Sequence, residues 1–337
     1  MISLSKRIGV DLGTTNIRIY QEKSGVILNE PTVAALSFDD DKVLAVGVEA
    51  LEMIGRTPET IRSVRPIQSG VIADFKVTQQ MLKIYFNKSL GSVRMRLPEI
   101  MLTVSGGATS TEEKAALDIA RAAGAKQVHV IKSAVSAALG AGLPISDPTG
   151  HLIIDIGGGS TEIAVISLGG VVASNSIRIG GDSINRKISL YLRNAHNLSI
   201  GEQTAEDIKL SLGTAIPKEK DYKIVVQGRD QVGGLPKSVD LHSNEIVPLI
   251  EDVAEKIVRS LRSVIEATPP ELVSDIMQHG IALSGGTAQL KDFDRLLSKV
   301  IGVPVIVVQD PELAVVKGTG LALSNLNDYK KSLLGWQ

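Results

Sequence analysis

Two segments of the chain, residues 8–20 and 152–166, share one pattern of apolar and polar positions. Each starts with an apolar run, passes through a short turn of glycine and hydroxyl-bearing residues, and continues with alternating apolar and polar positions. An apolar run indicates a buried strand, and a period of two indicates a strand with one buried face. Each segment is therefore predicted to form a β-hairpin, and two such hairpins suggest two related lobes.

The repeat holds at single positions, with two extra residues in the second turn. The matched residues are Asp11 and Asp155, Gly13 and Gly157, Thr15 and Thr161, Ile17 and Ile163, and Ile19 and Val165. An aspartate thus comes just before each turn.

Strands and helices alternate along the rest of the first half. Extended segments are predicted at 25–28, 32–38, 42–47, 100–105 and 128–131, and helices at 47–54, 74–89 and 133–142. A further helix is predicted to open with a capping box at Ser110 and Glu113 and to stop at Gly124. This alternation indicates an α/β layer.

The second half follows a predicted hinge at residues 144–150. Helices are predicted at 183–195, 203–212, 244–268, 291–301 and 311–326, and strands at 281–286 and 303–308. Residues 218–241 are predicted to form a small antiparallel unit with turns at Gly228 and at Gly233-Gly234. Pro269-Pro270 is expected to end the longest helix. Most strands are nearly continuous apolar runs, which is typical of sheets covered on both faces.

Composition narrows the class of protein. A length of 337 residues fits about two domains, and a net charge of −1 argues against a broad nucleic-acid surface. The absence of cysteine excludes disulfides and thiolate catalysis, and the five histidines lack metal-ligand spacing. No apolar run reaches the roughly 18 residues of a membrane span, and the start of the chain lacks a signal-peptide pattern. We therefore expect a cytoplasmic protein.

The two turns carry the residue types that bind phosphate. Glycine lets a phosphate approach the backbone, successive N–H groups form an anion nest, and hydroxyls add donors. The turn residues are Gly13, Thr14, Thr15 and Asn16 in the first hairpin and Gly157, Gly158, Gly159, Ser160 and Thr161 in the second. Two aspartates facing a polyphosphate require a cation between them, for which Mg²⁺ held largely through water is expected. A third glycine turn after a strand, at residues 283–287, strengthens the prediction.

These motifs resemble the actin-like ATPase superfamily and, within it, the MreB family of bacterial actins. The resemblance covers nearly the whole chain, through NEPTVAAL (29–36), IGRTPETIRSVRPIQSGVIADF (54–75), DIGGGSTEIAVISLGG (155–170), SIRIGGDSIN (176–185), IGEQTAEDIKLSLG (200–213) and ATPPELVSDIMQHGIALSGGTAQL (267–290). It implies an α/β actin-like fold of two duplicated lobes around a central nucleotide cleft. The implied subdomains are IA (1–32, 67–147, 318–337), IB (33–66), IIA (148–182, 244–317) and IIB (183–243).

The resemblance also implies roles for single residues. Asp11 and Asp155 would be the Mg²⁺ carboxylates, and the turn residues of the two hairpins would bind the phosphates of ATP or ADP. Gly181 and Asp182 would follow the first connecting segment, Glu206 and Lys209 would meet the ribose and adenine, and Gly285, Gly286 and Thr287 would back the adenine and α-phosphate. Taken alone, Glu206 and Lys209 would be interpreted as a solvated salt bridge.

One segment departs from the family pattern. Where the family has two acids and a proline, this chain has Lys132, Ser133 and Ala134. Ser133 stands where the family has the glutamate that orients the attacking water, and Ser160 replaces a threonine but keeps its hydroxyl. Because loss of a positioned acid–base group costs about 10²–10⁴ in rate, we expect weakened ATP hydrolysis. The open alternative is that a neighbouring residue substitutes, or that the family rate is already so low that little changes.

The family resemblance implies antiparallel double filaments at the inner face of the cell membrane, with paralogous filament proteins as further candidate partners. The loop 91–98 offers Val93, Met95 and Leu97 for membrane insertion, although such a loop is more often ordinary structure. Two alternatives are a small-molecule kinase and a chaperone-type ATPase of the same fold. The filament protein is favoured, because the segment at Lys132 and Ser133 supplies no acid for a kinase. The role, in wall synthesis or in the shape and motility of a wall-less cell, stays open.

Overall fold

The computed structural model describes residues 6–91, 97–326 and 333–334. The strands are β1 (Arg7–Leu12), β2 (Asn16–Gln21), β3 (Gly25–Pro31), β4 (Ala34–Ser37), β5 (Val43–Val46), β6 (Ile61–Val64), β7 (Ile67–Gln68), β8 (Val71–Ile72), β9 (Glu99–Val104), β10 (Gln127–Lys132), β11 (His151–Ile156), β12 (Thr161–Ser167), β13 (Gly170–Ile177), β14 (Leu198–Ser199), β15 (Lys223–Asp230), β16 (Pro236–His242), β17 (Ile281–Ser284), β18 (Val305–Val307) and β19 (Leu333–Leu334).

The helices alternate with these strands as an α/β fold requires. They are α1 (Val48–Met53), α2 (Phe75–Leu90), α3 (Ser110–Ala122), α4 (Ser133–Gly140), α5 (Gly181–His196), α6 (Glu202–Leu212), α7 (Ser243–Glu266), α8 (Pro270–His279), α9 (Phe293–Ile301) and α10 (Ala314–Ser324). Short 3₁₀ helices cover Gly286–Gln289 and Pro311–Leu313.

The two main sheets have the same topology around their central strands. In the first sheet, with order β19-β10-β9-β1-β2-β3, β1 pairs antiparallel with β2 and parallel with β9. In the second, with order β13-β12-β11-β17-β18, β11 pairs antiparallel with β12 and parallel with β17. The repeat in the sequence is therefore a repeat in topology, and both predicted hairpins are confirmed.

A pair of helices, α4 and α10, joins the two lobes. Their apolar side chains share one core cluster with Met101 and Ile131 of the first sheet and Ile153 and Ala164 of the second. Small residues make this possible: the Ser136 hydroxyl in α4 donates to the backbone carbonyl of Val315 in α10 at 2.9 Å. The small-residue helix predicted at 133–142 is thus the element on which both sheets pack.

Each lobe also has a large core cluster of its own among the described residues. The long helix α7 buries Ile246, Ile250, Val253, Ile257, Leu261 and Val264 in the core of the second lobe. These are the residues that the helical period of the sequence places on one face. The smaller sheets β5-β4-β6 and β14-β15-β16 lie outside the two main sheets. The four subdomain boundaries remain a prediction.

The structure corrects three local predictions. The capping box of α3 is formed by Thr109 and Glu112, one residue earlier than the predicted Ser110 and Glu113. Gly228 makes no turn. It lies inside β15, where an added Cβ would come within 2.4 Å of the Ser199 carbonyl oxygen, so it permits a close approach of two strands.

The third correction concerns the proline pair after α7, which also begins a helix. Pro270 is the first residue of α8, a helix that the sequence pattern did not predict. A proline at this position loses no hydrogen bond, because the first N–H groups of a helix have no partner within it. The turn at Gly233-Gly234 lies where it was predicted, between β15 and β16.

Candidate functional site

A cavity of about 410 Å³ lies between the turns of the two main hairpins. Most of the predicted site residues line it: Asp11, Gly13, Thr14, Thr15, Asn16, Ser133, Asp155, Gly157, Gly158, Gly159, Ser160, Asp182, Glu206, Lys209, Gly285, Gly286 and Thr287. The lining thus comes from both sheets and from α4, α5 and α6. Residues that are distant in the sequence converge here because the central strands β1 and β11 end at the same cleft.

Two predicted residues lie behind the wall of the cavity. Thr161 is fully buried, and its hydroxyl donates to the Ile179 carbonyl at 2.7 Å. Gly181 starts α5, and its N–H donates to the Gly157 carbonyl at 3.0 Å. The adjacent Asp182 N–H donates to the Gly158 carbonyl at 2.8 Å. These contacts fix the second turn in place, which is a supporting role.

The turns of the two hairpins contact each other directly. A Cβ on Gly158 would lie 1.9 Å from the Thr15 hydroxyl oxygen, and a Cβ on Gly159 would lie 2.4 Å from that of Thr14. The Thr14 hydroxyl in turn accepts the N–H of Gly70 at 2.8 Å. The glycines of the second turn are therefore needed for the approach of the lobes as well as for access to the backbone N–H groups.

The two aspartates are buried and held in matching ways. The Thr103 hydroxyl, on the strand parallel to β1, donates to Asp11 at 3.3 Å, and the Ser284 hydroxyl, on the strand parallel to β11, donates to Asp155 at 2.7 Å. Burial raises the pKa of Asp11, although the nearby Arg18 partly offsets this. Burial also raises the pKa of Asp155 to about 7, with Asp11 and Glu162 as further contributors. Two such carboxylates in one cavity have the chemistry that a hard cation binds.

We expect Asp155→Asn to stabilise the protein in EDTA without nucleotide. The pKa of Asp155 is about 7 in the folded protein against an ordinary value of 3.8. The unfolded chain therefore ionises first as the pH rises, and the folded protein loses about 4 kcal/mol of stability between about pH 4 and pH 7. An amide must also be desolvated, so we expect a gain of about 2 kcal/mol at pH 8 and no gain at pH 5, where less than half of the ionisation cost has developed. Urea unfolding of the wild type and the variant at both pH values measures this difference in stability.

The exposed Asp39 provides the control for this substitution. Asp39→Asn should leave the unfolding midpoint nearly unchanged at both pH values, since an exposed carboxylate loses little hydration on folding. A stability of Asp155→Asn that is equal to the wild type at pH 8 would contradict the assigned cost of burying this charge.

Glu162 is a site residue that the sequence analysis missed. Its side chain is buried, lines the cavity, and accepts hydrogen bonds from the Ser105 hydroxyl at 2.7 Å, the Gly106 N–H at 2.9 Å and the Ser176 hydroxyl at 2.9 Å. Burial raises the pKa of Glu162, while these donors and Lys132 oppose the shift. Because Ser105 follows β9 and Glu162 lies on β12, the carboxylate ties the two lobes together beside the cavity.

The segment that departs from the family pattern also lies at the cavity. Ser133 is the first residue of α4, and its hydroxyl donates to the Val104 carbonyl at 3.0 Å. Lys132 precedes it as the last residue of β10. Neither supplies a carboxylate to the cavity, and Ser133, at the position where the family resemblance implies a glutamate, supplies a hydroxyl.

The pair predicted to meet the ribose and adenine also lines the cavity. Lys209 Nζ lies 2.7 Å from Glu206 Oε2, one helical turn away on α6. Asn185 also donates to Glu206, and burial raises the pKa of the neighbouring Asp182. Lys209 is buried, so the pair is part of the cavity wall instead of the solvated salt bridge that its spacing alone suggests.

The predicted membrane loop lies mostly outside the described residues. Val93 and Met95 fall in the undescribed range 92–96, while Leu97 is described and half exposed. Within the described parts of the chain, no helix combines the length and the apolar character needed to cross a membrane.

A duplicated sheet topology with a cleft between paired hairpins defines an actin-like protein, as the sequence predicted. The structure superposes on MreB5 of Spiroplasma citri bound to AMPPNP with a TM-score of 0.90 at 35% identity, covering 97% of this chain and 98% of that one. The MamK double helical filament structure, at 18% identity and a TM-score of 0.79 over 95% of this chain and 99% of that one, shares the fold.

The chain belongs to the MreB/Mbl family. The family model described as MreB/Mbl protein matches residues 5–331. The cell shape-determining protein Mbl of Bacillus subtilis is 42% identical over 330 residues, covering 98% of this chain and 99% of Mbl. The cell shape-determining protein MreB of Escherichia coli is 43% identical over 328 residues, covering 96% of this chain and 94% of that MreB. The family resemblance in the sequence is thereby confirmed.

Proposed function

We propose that the cavity binds ATP or ADP, with its phosphates held between the two hairpin turns. The observation that carries the proposal is the convergence of both glycine turns and both aspartates on one cavity of about 410 Å³, a volume within the usual range for small-molecule sites. Structures of the related MreB5 of Spiroplasma citri are bound to AMPPNP and to ADP, which supports the same ligand class here.

Mg²⁺ fits the carboxylates that the cavity presents. Asp11 and Asp155 are both buried, both line the cavity, and are close enough that Asp11 helps to raise the pKa of Asp155. Mg²⁺ is usually held by one or two carboxylates together with substrate phosphates and several waters. When bound, the ion would neutralise the phosphates, while Thr103 and Ser284 orient the two carboxylates.

The remaining lining residues would orient the nucleotide. Gly285, Gly286 and Thr287 bring backbone groups to the cavity wall, and the Thr287 hydroxyl donates to the Gly157 carbonyl at 2.9 Å, so it braces the second phosphate turn. Glu206 and Lys209 stand at the end proposed for the ribose and adenine. The N–H groups of the glycine turns supply donors at no cost in side-chain entropy.

Hydrolysis of the bound ATP is proposed to be slow. Ser133 offers a hydroxyl that already donates to the Val104 carbonyl, and a hydroxyl cannot accept a proton as a carboxylate can. Ser160 keeps the hydroxyl that helps to hold the attacking water. The protein would therefore bind ATP normally and remain in its ATP-bound form for longer.

We further propose that the nucleotide-bound protein polymerises into antiparallel double filaments that contribute to cell shape at the inner face of the membrane. Family membership supports this assignment. The direct test measures ATP and ADP affinity by calorimetry and follows sedimentation with each nucleotide. We expect binding of both and more pelleting with ATP. A protein without affinity for adenine nucleotides would overturn the proposal. Sedimentation that is the same with ATP, with ADP and without nucleotide would also overturn it.

The loop 91–98 is proposed to contribute to lipid binding of the filament. Each apolar side chain contributes at most about 1.5–3 kcal/mol and each arginine near anionic headgroups about 1 kcal/mol, which is marginal for a monomer. Polymerisation multiplies the contacts. We expect Val93→Ser/Leu97→Ser filaments to lose most co-sedimentation with anionic liposomes while still forming; unchanged pelleting with liposomes would refute the role of the loop.

A further inference from the structure

Arg18 places a guanidinium group inside the cavity beside the two aspartates. It lies opposite Asp11 in the register of the β1–β2 hairpin, so the two side chains share one face of the sheet. Only 15% of the Arg18 side chain is exposed, and Nη1 lies 3.5 Å from Asp11 Oδ2. Arg18 lines the same cavity as Asp155 and Glu162.

This guanidinium is incompletely bonded as it stands. Its Nε is buried, and no hydrogen-bond partner for it exists among the described residues. The ion pair with Asp11 is long for a charge-assisted bond, for which about 2.7–2.9 Å is usual. A buried donor without a partner costs free energy. Because Nε itself is closed to solvent, a ligand in the cavity would meet the part of the Arg18 side chain that lines the cavity.

The charges around the cavity favour an anionic acceptor. Asp11, Asp155 and Glu162 would repel a polyphosphate if no cation stood among them, and Arg18 is the cation next to the two aspartates. Lys209 and Lys291 also line the cavity, but Lys209 is paired with Glu206. A guanidinium stays charged at every physiological pH and matches phosphate oxygens with two parallel donors.

We propose that Arg18 is a permanent cation of the phosphate site, which bonds the polyphosphate directly and supplies part of the positive charge that Mg²⁺ otherwise supplies. This rests on the proposed nucleotide binding. The consequence is that the site keeps much of its ATP affinity when Mg²⁺ is removed, because a chelator does not remove a side chain.

The test compares dissociation constants for ATP, ADP and adenosine in Mg²⁺ and in EDTA. For the wild type, we expect EDTA to weaken ATP binding by less than about tenfold, because one charge-assisted contact remains. Arg18→Gln keeps a hydrogen-bond donor for Asp11, and its affinity for ATP in EDTA should be a further ~10- to 100-fold weaker than that of the wild type. Adenosine binding should be unchanged, and Arg18→Lys should restore part of the ATP affinity in EDTA.

Arg7→Met is the matched control. Arg7 is on the same hairpin, and it pairs with Glu99 at 3.0 Å outside the cavity, so its loss should leave the ratio of the EDTA and Mg²⁺ affinities unchanged. The proposal is overturned if the affinity of the wild type for ATP falls by more than about 100-fold in EDTA. It is also overturned if Arg18→Gln binds ATP like the wild type, or loses adenosine affinity equally.

The wild-type titration decides the question even if Arg18→Gln yields no folded protein. A wild type without affinity for ATP in either buffer would refute the proposed function itself. A wild type that binds ATP only with Mg²⁺ would refute the role of Arg18 alone.

Discussion

Restoring a carboxylate at position 133 is expected to accelerate phosphate release from bound ATP by about 10²–10⁴-fold, the usual contribution of a positioned acid–base group. Ser133 is the first residue of α4 and lines the cavity. A glutamate is tolerated at that end of a helix, since the N-terminal N–H groups favour negative charge. Ser133→Glu therefore adds a carboxylate at the cavity, although it removes the hydrogen bond from the Ser133 hydroxyl to the Val104 carbonyl.

The measurement is single-turnover phosphate release with the protein in excess of ATP, followed together with polymerisation. Ser133→Gln is the matched control, because it has the same length and polarity but cannot accept the proton. We expect Ser133→Glu to hydrolyse ATP faster and its filaments to turn over faster, while Ser133→Gln stays at the wild-type rate. Equal rates for the glutamate and glutamine variants would show that position 133 does not limit hydrolysis.

Such an equal result would direct attention to Glu162. This buried carboxylate already lies at the cavity, with hydrogen bonds from both lobes. A rate that fell on Glu162→Gln in the wild-type background would then identify it as the neighbour that substitutes for the family glutamate.

Gly318→Ala is expected to destabilise the protein by about 3 kcal/mol, at the upper end of the usual cost of overpacking a core. A Cβ at position 318 would lie 1.7 Å from the Ser136 carbonyl oxygen, and one on Gly140 would lie 1.8 Å from that of Ala314. These are backbone contacts, so no side-chain rotation relieves them. The two helices would have to separate, although both sheets pack against them.

Urea unfolding compares this variant with Gly201→Ala. Gly201 precedes α6, and an added Cβ there meets no atom within 4 Å, so the change should cost no more than about 1 kcal/mol. If Gly318→Ala is no less stable than Gly201→Ala, the close packing of α4 and α10 has been misjudged. Nucleotide affinity gives a second readout, because α4 begins at Ser133 in the cavity.

Local patterns were sufficient for the phosphate turns but not for their surroundings. Asp11, Gly13 and Thr15 lie within one hairpin, and the repeat of this short pattern in the second hairpin predicts a phosphate-binding turn. The Ser105, Glu162 and Ser176 network joins residues 57 and 71 positions apart, so no local pattern could indicate it. Arg18 is an intermediate case: opposite Asp11 in a two-strand hairpin, it could have been found by writing out the register.

The errors in the secondary structure have equally specific causes. Ser110 and Glu113 fit the capping-box pattern as well as Thr109 and Glu112 do, and hydrogen bonding at the helix start decides between them. Gly228 was read as a turn because glycine commonly marks turns, whereas here it makes room for the Ser199 carbonyl. Pro270 was read only as an end, although proline is also favoured at the first position of a helix.

The period of apolar residues and a repeated short motif were enough to predict the two hairpins and most of the residues that line the cavity. The family and its actin-like α/β fold followed from the resemblance of long segments of the chain to MreB. The polar groups that complete the site and the glycines that let the lobes pack could be found only from contacts in the folded chain. Arg18, Glu162, Gly140 and Gly318 acquire their roles from contacts across strands, sheets or helices, and such contacts exist only once the chain has packed.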